Sequence, residues 1–366
     1  MPKNKPFLSI VVPCYNCEKT IEKLLLSIVH NLEHDEEDIK DIIKKDDIEV
    51  IIVNDKSTDN FLDIVQTFED RLNIRYCKTV REFHCPGNTR QVGLKYVKGE
   101  YFCFIDNDDM FETDGLAKVI KFLRKSEETV YTLVTNFREF FPGEVYTDEE
   151  GNKQRTKHSY GRVFIKDDAD TWIHGKFFNT HYTRDVFGCH FMDDQFSHED
   201  VFFNSYNLAN LISIGSDYTY YDIFTYKWCH NPESLSRSFF DEKYLYIDKY
   251  LGDYILGASE PFFELYEKDD INKEFCVNQA MMTLLHAYFY HEASVYRLGD
   301  DFYKDNLVHI HALKNKIQSV MGLSVSDIVQ YVYGMPERYN SIKEKCFYGS
   351  CKFVEFQSFR DFIVNV

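Results

Sequence analysis

The sequence predicts an α/β fold, a mostly parallel central sheet between layers of helix, followed by a helical C-terminal region. Two observations predict it. Short β-branched apolar runs alternate with amphipathic helical patterns through the first 110 residues, with acids gathered where the runs end. Beyond residue 240 the apolar spacing is helical only.

The first run, Leu8 to Val12 (LSIVV), is expected to stop at Pro13, with Tyr15-Asn16 in the turn and Ile21, Leu24, Leu25 and Ile28 at helical spacing. Val50 to Val53 (VIIV) is a second buried run. It ends in Asn54-Asp55-Lys56-Ser57-Thr58-Asp59, after which Phe61, Leu62, Ile64, Val65 and Phe68 resume a helical period. A third short strand falls around Ile74 to Cys77, and Thr89 to Val97 reads as a helix leading into the next run. That run, Tyr101 to Asp109 (YFCFIDNDD), is the most informative in the chain. Phe102, Cys103, Phe104 and Ile105 suit a strand buried on both faces, and Asp106, Asn107, Asp108 and Asp109 then crowd negative charge at its carboxyl end. Ligands of open α/β sheets bind at that edge. The Asp-x-Asp oxygens suit Mg²⁺ or Mn²⁺, with water or diphosphate in the remaining positions. An acidic turn that caps the next helix explains the same residues without a metal.

A second acidic group, Ser197-His198-Glu199-Asp200, precedes Val201, Phe202 and Phe203. This is the pattern of a helix whose first turn presents carboxylates, where the macrodipole favours their ionised form. Such an acid can serve as a base; an N-terminal acid pair without chemistry is the plainer alternative.

PCYN at 13–16, VNDKSTD at 53–59, GNTRQVGLKYVKGEYFCFIDNDD at 87–109 and SHEDVFF at 197–203 together resemble, in order, the motifs of family 2 glycosyltransferases. The resemblance implies a GT-A fold with Rossmann-like αβα layering. It also implies inverting transfer of a sugar from a nucleotide-sugar donor, a UDP-sugar first, to an acceptor hydroxyl, with Mn²⁺ or Mg²⁺ as cofactor. At matching positions, Pro13, Tyr15 and Asn16 would wall the base and ribose, and Asp55 would bind the uracil edge. Arg90 would fix nucleotide and acidic residues, a role suited to a planar bidentate donor. Asp106 would lie near ribose or donor sugar, Asp108 would be the metal ligand, and Asp109 would either support the metal site from behind its ligands or contact the sugar. Asp200 would be the base that takes the acceptor proton, with Glu199 orienting acceptor or base. The segment Trp172 to Phe178 resembles the stretch that often precedes this acid pair, and its Lys176 would face acceptor or diphosphate. Tyr226 to Arg237 resembles a loop over the diphosphate, with His230 in the metal shell and Arg237 on phosphate. Two positions depart from the family pattern. Lys56 replaces a glycine, so the backbone there is expected to avoid positive φ or the loop to be reshaped; Gln91 replaces the usual Asn.

At 366 residues the chain exceeds a comfortable single core. The resemblance ends near residue 240. Residues 1–240 are therefore expected to form the catalytic domain, 1–110 binding the donor and 111–240 carrying acceptor site and base, with 241–366 a helical region. There, Tyr244 to Leu256, Phe262 to Tyr266, Val277 to Tyr290, Phe302 to Val320 and Val325 to Tyr333 have helical spacing rich in aromatics. Core packing is the default for such stripes; recognition of the acceptor and a homo-oligomer interface are the other uses. No apolar stretch approaches ~18 residues, and the first strand begins almost at once, so neither a transmembrane span nor a signal peptide is expected. Ten cysteines without a regular framework fit reduced thiols, and the expectation is a cytoplasmic enzyme. A net charge of −18 argues against broad binding to nucleic acid. Lys153, Arg155, Lys157, His158, Arg162 and Lys166 form the one candidate basic patch. The acceptor stays open among glycan, lipid-linked glycan, protein, small metabolite and modified nucleobase. Three rival readings remain: a GT-A-like binding module without catalysis, a thiol-redox protein using Cys14-x-x-Cys17, and a nucleotidyltransferase. The last would carry a glycine-rich, arginine-containing loop after the first strand, and PCYNCEKT has neither residue.

Overall fold

The computed structural model describes residues 5–33, 42–83, 85–141, 145–147, 153–155, 157–165, 172–193, 195, 198–231, 245–298, 304–346 and 357–366. The chain forms two compact units, Met1–Gln195 with Asp217–Pro232, and Phe196–Ser216 with Glu233–Val366. The domain boundary expected at residue 240 falls outside the described residues.

In the first unit, β1 (Leu8–Cys14), β2 (Ile48–Asn54), β3 (Asn73–Lys78) and β4 (Tyr101–Phe104) are parallel in the order β3-β2-β1-β4. They are linked by α1 (Ile21–Leu32), α2 (Phe61–Gln66) and α3 (Pro86–Leu94). Next come β5 (Met110–Phe111), α4 (Gly115–Lys125), β6 (Thr132–Phe141), a hairpin of β7 (Val145–Thr147) and β8 (Lys153–Arg155), β9 (Ser159–Phe164) and β10 (Lys176–Asn179). The unit ends with β11 (Thr219–Cys229). β10 runs antiparallel between β4 and β6, β11 lies parallel to β6, and β5 and β9 close the sheet antiparallel to β11 and β6. The result is the mixed, mostly parallel sheet of the GT-A fold.

Every residue of β1, β2 and β4 is buried, as a sheet covered on both faces requires. Leu8, Ile10 and Val12 share a core with Leu24, Leu25 and Ile28 of α1, each burial worth about 1.5–3 kcal/mol. The apolar runs conceal one acid. Glu49 is buried in β2, where Oε1 accepts from Ser9 Oγ at 2.5 Å and from the Lys98 N–H at 2.7 Å.

Pro13 does not stop β1, which continues to Cys14 in register with Asn54. The Val11 carbonyl faces β4 and accepts from Ile105 N–H, so Pro13, two residues on, faces the same side. β4 has ended there, so the missing N–H leaves no partner unpaired. The Pro13 carbonyl instead accepts from Asn107 Nδ2 at 3.1 Å.

The second unit is helical: α5 (Glu199–Ser213), α6 (Leu245–Lys268), α7 (Lys273–Leu298), α8 (Lys304–Met321), α9 (Val325–Tyr333), α10 (Pro336–Cys346) and α11 (Phe359–Asn365). α6 packs on α5, α7 and α8. It joins two stretches that the sequence reading kept apart, passing through Pro261. An interior proline costs a helix ~3 kcal/mol. Buried Leu251, Tyr254 and Ile255 before it, and Phe262, Phe263 and Leu265 after it, offset that cost. Helices α10 and α11 were not anticipated. α11 carries Phe359, Phe362 and Ile363 into the core, and Ser358 caps it by accepting from the Asp361 N–H at 3.1 Å.

Candidate active site

The polar ends of β1, β2 and β4 meet at one edge of the first unit. The turns after β1 and β2 are tied together: Asn16 Oδ1 accepts from the Thr58 N–H at 2.8 Å, and the Asn16 N–H donates to Ser57 Oγ at 3.0 Å. Lys56 lies in the left-handed region with φ 60°, contrary to the expectation that this position would avoid it. The turn normally supplied by glycine is kept, because Ser57 N–H bonds to Asn54 Oδ1 at 2.7 Å and Asp55 N–H to the Cys14 carbonyl at 2.8 Å.

Asp55 is buried and already engaged. Its carboxylate accepts from Thr79 Oγ1 at 2.9 Å and from the Phe83 N–H at 3.1 Å, which pins the segment after β3 beside it. Tyr15 is 44% exposed, and its hydrogen bond to Glu82 raises its phenol pKa. Thus Pro13, Tyr15, Asn16 and Asp55 are clustered at the tips of β1 and β2.

Arg90, buried on α3, donates to Asp106 Oδ1 at 2.5 Å. Burial pushes the Asp106 carboxyl up, but the charge of Arg90, followed by His174, outweighs it and leaves the group below the usual carboxylate range. Asp109 is buried. It accepts from the Cys229 N–H at 2.7 Å and from the Tyr226 hydroxyl. Asp108 Oδ2 accepts from Asn231 Nδ2 at 2.9 Å. Burial raises the pKa of both: Asp108 is pushed further by the charge of Asp106, and Asp109, well above its ordinary value, by Asp108 and then Asp106. The donors named here to Asp108 and Asp109 are neutral, so they do not cancel that repulsion.

His174 completes this cluster. It precedes Gly175, whose φ is 68° and where an added Cβ would stand 2.8 Å from the Thr135 carbonyl oxygen, so a side chain is excluded. The ring is walled by Phe137, Trp172, Tyr226 and Trp228, and Nε2 lies 3.7 Å from Asp106 Oδ2. One donor atom each from Asp106, Asp109 and His174 falls within 4.8 Å of the others. Two carboxylate oxygens and an imidazole nitrogen converging in this way are a donor set that fits a divalent cation.

Sequence reading missed His174 and Tyr226 as members of this site. The available signal was an ionisable ring beside a glycine inside an aromatic stretch. Asp108 and His230, both expected on the metal, are not in the converging group; the His230 ring lies against Phe141 at 4.9 Å and its N–H bonds to the Phe140 carbonyl. Lys176 is buried, with Nζ 3.5 Å from the Tyr218 hydroxyl and above that ring. Arg237 lies outside the described residues. In the basic segment, Lys166 and the side chains of Lys153 and Arg155 also lie outside them, and Arg162 is paired with Glu139 at 2.8 Å.

Glu199 and Asp200 belong to the second unit, where they open α5. Glu199 is buried, and Asp200 Oδ1 accepts from the Val201 N–H at 2.9 Å. The preceding residue, His198, takes a left-handed φ of 53° and lays its ring against Tyr254 of α6. The Cys14 and Cys17 thiols are free and buried, and burial followed by Cys17 pushes the Cys14 thiol well up. A redox thiol needs the opposite shift and access.

The family model described as Glycosyl transferase family 2 matches residues 9–185. The poly(ribitol-phosphate) beta-N-acetylglucosaminyltransferase TarS of Staphylococcus aureus is 33% identical over 122 residues, 33% of this chain and 20% of TarS. The poly(ribitol-phosphate) beta-glucosyltransferase of Bacillus spizizenii is 32% identical over 124 residues, 34% of this chain and 18% of that protein. The UDP-Glc:alpha-D-GlcNAc-diphosphoundecaprenol beta-1,3-glucosyltransferase WfaP of Escherichia coli is 30% identical over 132 residues, 36% of this chain and 45% of WfaP. The matched stretch thus spans less than half of each relative. The crystal structure of S. aureus TarS 1–349 in complex with UDP-GlcNAc shares the fold, with a TM-score of 0.63 and 18% identity over 93% of this chain and 91% of that one. With the motifs in order, the sheet in GT-A topology and the family model matched over residues 9–185, the chain carries a glycosyl transferase family 2 domain in that stretch.

Proposed function

We propose that this protein is a metal-dependent, inverting glycosyltransferase that moves a sugar from a UDP-sugar to an acceptor hydroxyl by single displacement. The observation that carries this reading is the crowding of Asp106, Asp108 and Asp109 at the tip of β4, with two of the three carboxyls pushed up in pKa by burial and then by their charged neighbours. A divalent cation, Mn²⁺ or Mg²⁺, would relieve that repulsion and, when bound, stabilise charge on the departing diphosphate. Asp108 is the best single ligand, with Asp106 and Asp109 beside it. Arg90 neutralises Asp106 and fixes its direction. Pro13, Tyr15 and Asn16 wall the nucleotide, and Asp55 orders the segment that flanks it.

In the displacement, the acceptor oxygen bonds to the anomeric carbon as the bond to the diphosphate oxygen breaks. Asp200 takes the acceptor proton, Glu199 orients acceptor or base, and UDP leaves. One displacement inverts the anomeric centre. The family motifs also assign Lys176 and Arg237 to donor or phosphate. The names of two relatives support the donor class: the TarS structure holds UDP-GlcNAc, and WfaP is named for UDP-Glc. Their named acceptors, poly(ribitol-phosphate) and a diphosphoundecaprenol-linked sugar, favour a hydroxyl of a polyol-phosphate polymer or a lipid-linked glycan here.

The test is calorimetric titration with UDP-, GDP-, CMP- and dTDP-sugars, each with Mn²⁺ and with EDTA. Metal-dependent binding of a UDP-sugar is expected, and Asp108→Ala should abolish it. Asp200→Asn should leave donor affinity within about threefold and lower transfer by ~10²–10⁴. Normal transfer by Asp200→Asn overturns the base assignment, and binding unaffected by EDTA overturns the metal.

A further inference from the structure

The buried imidazole of His174 has no role in the reading above. It is 9% exposed, and neither ring nitrogen has a hydrogen-bond partner. Leaving polar nitrogens buried and unpaired costs about 1–3 kcal/mol. The ring cannot turn away, since Phe137, Trp172, Tyr226 and Trp228 wall it at centroid distances of 4.8–6.4 Å. Its Nε2 is thereby aimed at Asp106 Oδ2, at a separation of 3.7 Å that is too long for a hydrogen bond. Two ligands on one cation at about 2.1–2.2 Å each span such a gap comfortably.

We propose that His174 Nε2 is a ligand of the divalent cation, beside Asp106 and Asp109, and gives the site a preference for Mn²⁺ over Mg²⁺. This rests on the metal-dependent reading above. The other oxygen of Asp106 is held by Arg90, and Asp109 is held by Tyr226 and the Cys229 N–H, so both carboxylates are oriented by hydrogen bonds from outside the cluster. Such outer contacts fix metal ligands in place. The His174 Nδ1 lacks the usual acceptor, and the four surrounding rings fix the imidazole instead. Mg²⁺ prefers an all-oxygen octahedron, whereas Mn²⁺ accepts an imidazole nitrogen among carboxylates. A nitrogen at this point therefore separates the two ions.

Pulsed electron paramagnetic resonance of the full chain loaded with Mn²⁺ and UDP tests this without any assay of transfer. The wild type should show coupling from one directly bound ¹⁴N. His174→Phe, which keeps a ring in the aromatic wall, should lose that coupling while still binding Mn²⁺; His230→Gln should retain it. By titration, His174→Phe should weaken Mn²⁺ binding by about tenfold or more and Mg²⁺ binding by less than about twofold. Bound Mn²⁺ without nitrogen coupling in the wild type overturns the proposal alone, and is the result expected if His174 is instead an imidazolium partner of Asp106. Coupling that persists in His174→Phe also overturns it. Absence of any Mn²⁺ binding overturns the metal-dependent reading and this proposal with it.

Discussion

Lys56 shows how a single residue can keep a motif's geometry while losing its usual side chain. The φ of 60° places it where an L-residue with a Cβ is strained by about 1–2 kcal/mol. The hydrogen bonds of Asn54, Asp55 and Ser57 on either side hold the turn regardless. Lys56→Gly should therefore raise stability by about 0.5–1 kcal/mol after the entropy cost of glycine is subtracted. Equilibrium urea denaturation of the two proteins measures this; an unchanged or lower midpoint would show that the lysine side chain offsets its own strain. Asp55 was legible as an acid at a strand tip. Its engagement by Thr79 and Phe83 was not, because those partners lie after a different strand.

At the scale of elements, the site depends on how closely α3 lies on the sheet. A Cβ at Gly93 would stand 2.4 Å from Val11 Cγ1 and 2.9 Å from Val53 Cγ2, so only glycine lets the helix rest on β1 and β2. The same helix delivers Arg90 to Asp106. Gly93→Ala should cost about 1–3 kcal/mol through overpacking, and the displaced helix should also weaken UDP binding. Thermal unfolding and calorimetry on one preparation check both effects. A loss of stability with donor affinity intact would mean that Arg90 is held independently of this packing. The positions of β1 to β4 were readable from apolar runs of the right length, whereas β5 to β11 were not read as strands. Pro13 was misjudged because a proline's effect depends on whether a neighbouring strand requires its N–H, and that is set by where β4 ends. The stretches on either side of Pro261 read as separate helices because the packing that outweighs this proline comes from helices distant in sequence.

Over the whole molecule, α5 is the element whose membership matters most. It carries Glu199 and Asp200 and packs with α6 in the helical unit. A chain ended at residue 240 lacks α6 altogether. Such a chain should keep metal-dependent UDP binding within about threefold, because Pro13, Tyr15, Asn16, Asp55, Arg90 and the acids after β4 belong to the first unit and Arg237 is retained, but lose transfer and expose the apolar face of α5. Calorimetry, a transfer assay and an apolar fluorescent dye read the three outcomes. Full transfer by the shortened chain would show that residues 241–366 are not needed to hold the base. Among the described residues, no helix is long and apolar enough to cross a membrane.

The sequence by itself determined the α/β class, the first four strands, the acids at their tips and the family resemblance, because each is written in local periodicity or in contiguous motifs. Tertiary structure decided which of those acids share a site, what holds each one, and that His174 and Tyr226 stand among them. Contacts between Asp109 and Tyr226, or Asp108 and Asn231, join residues more than a hundred positions apart. Nothing in local spacing encodes such a pairing, since it exists only once β11 has taken its place beside β6 and β5.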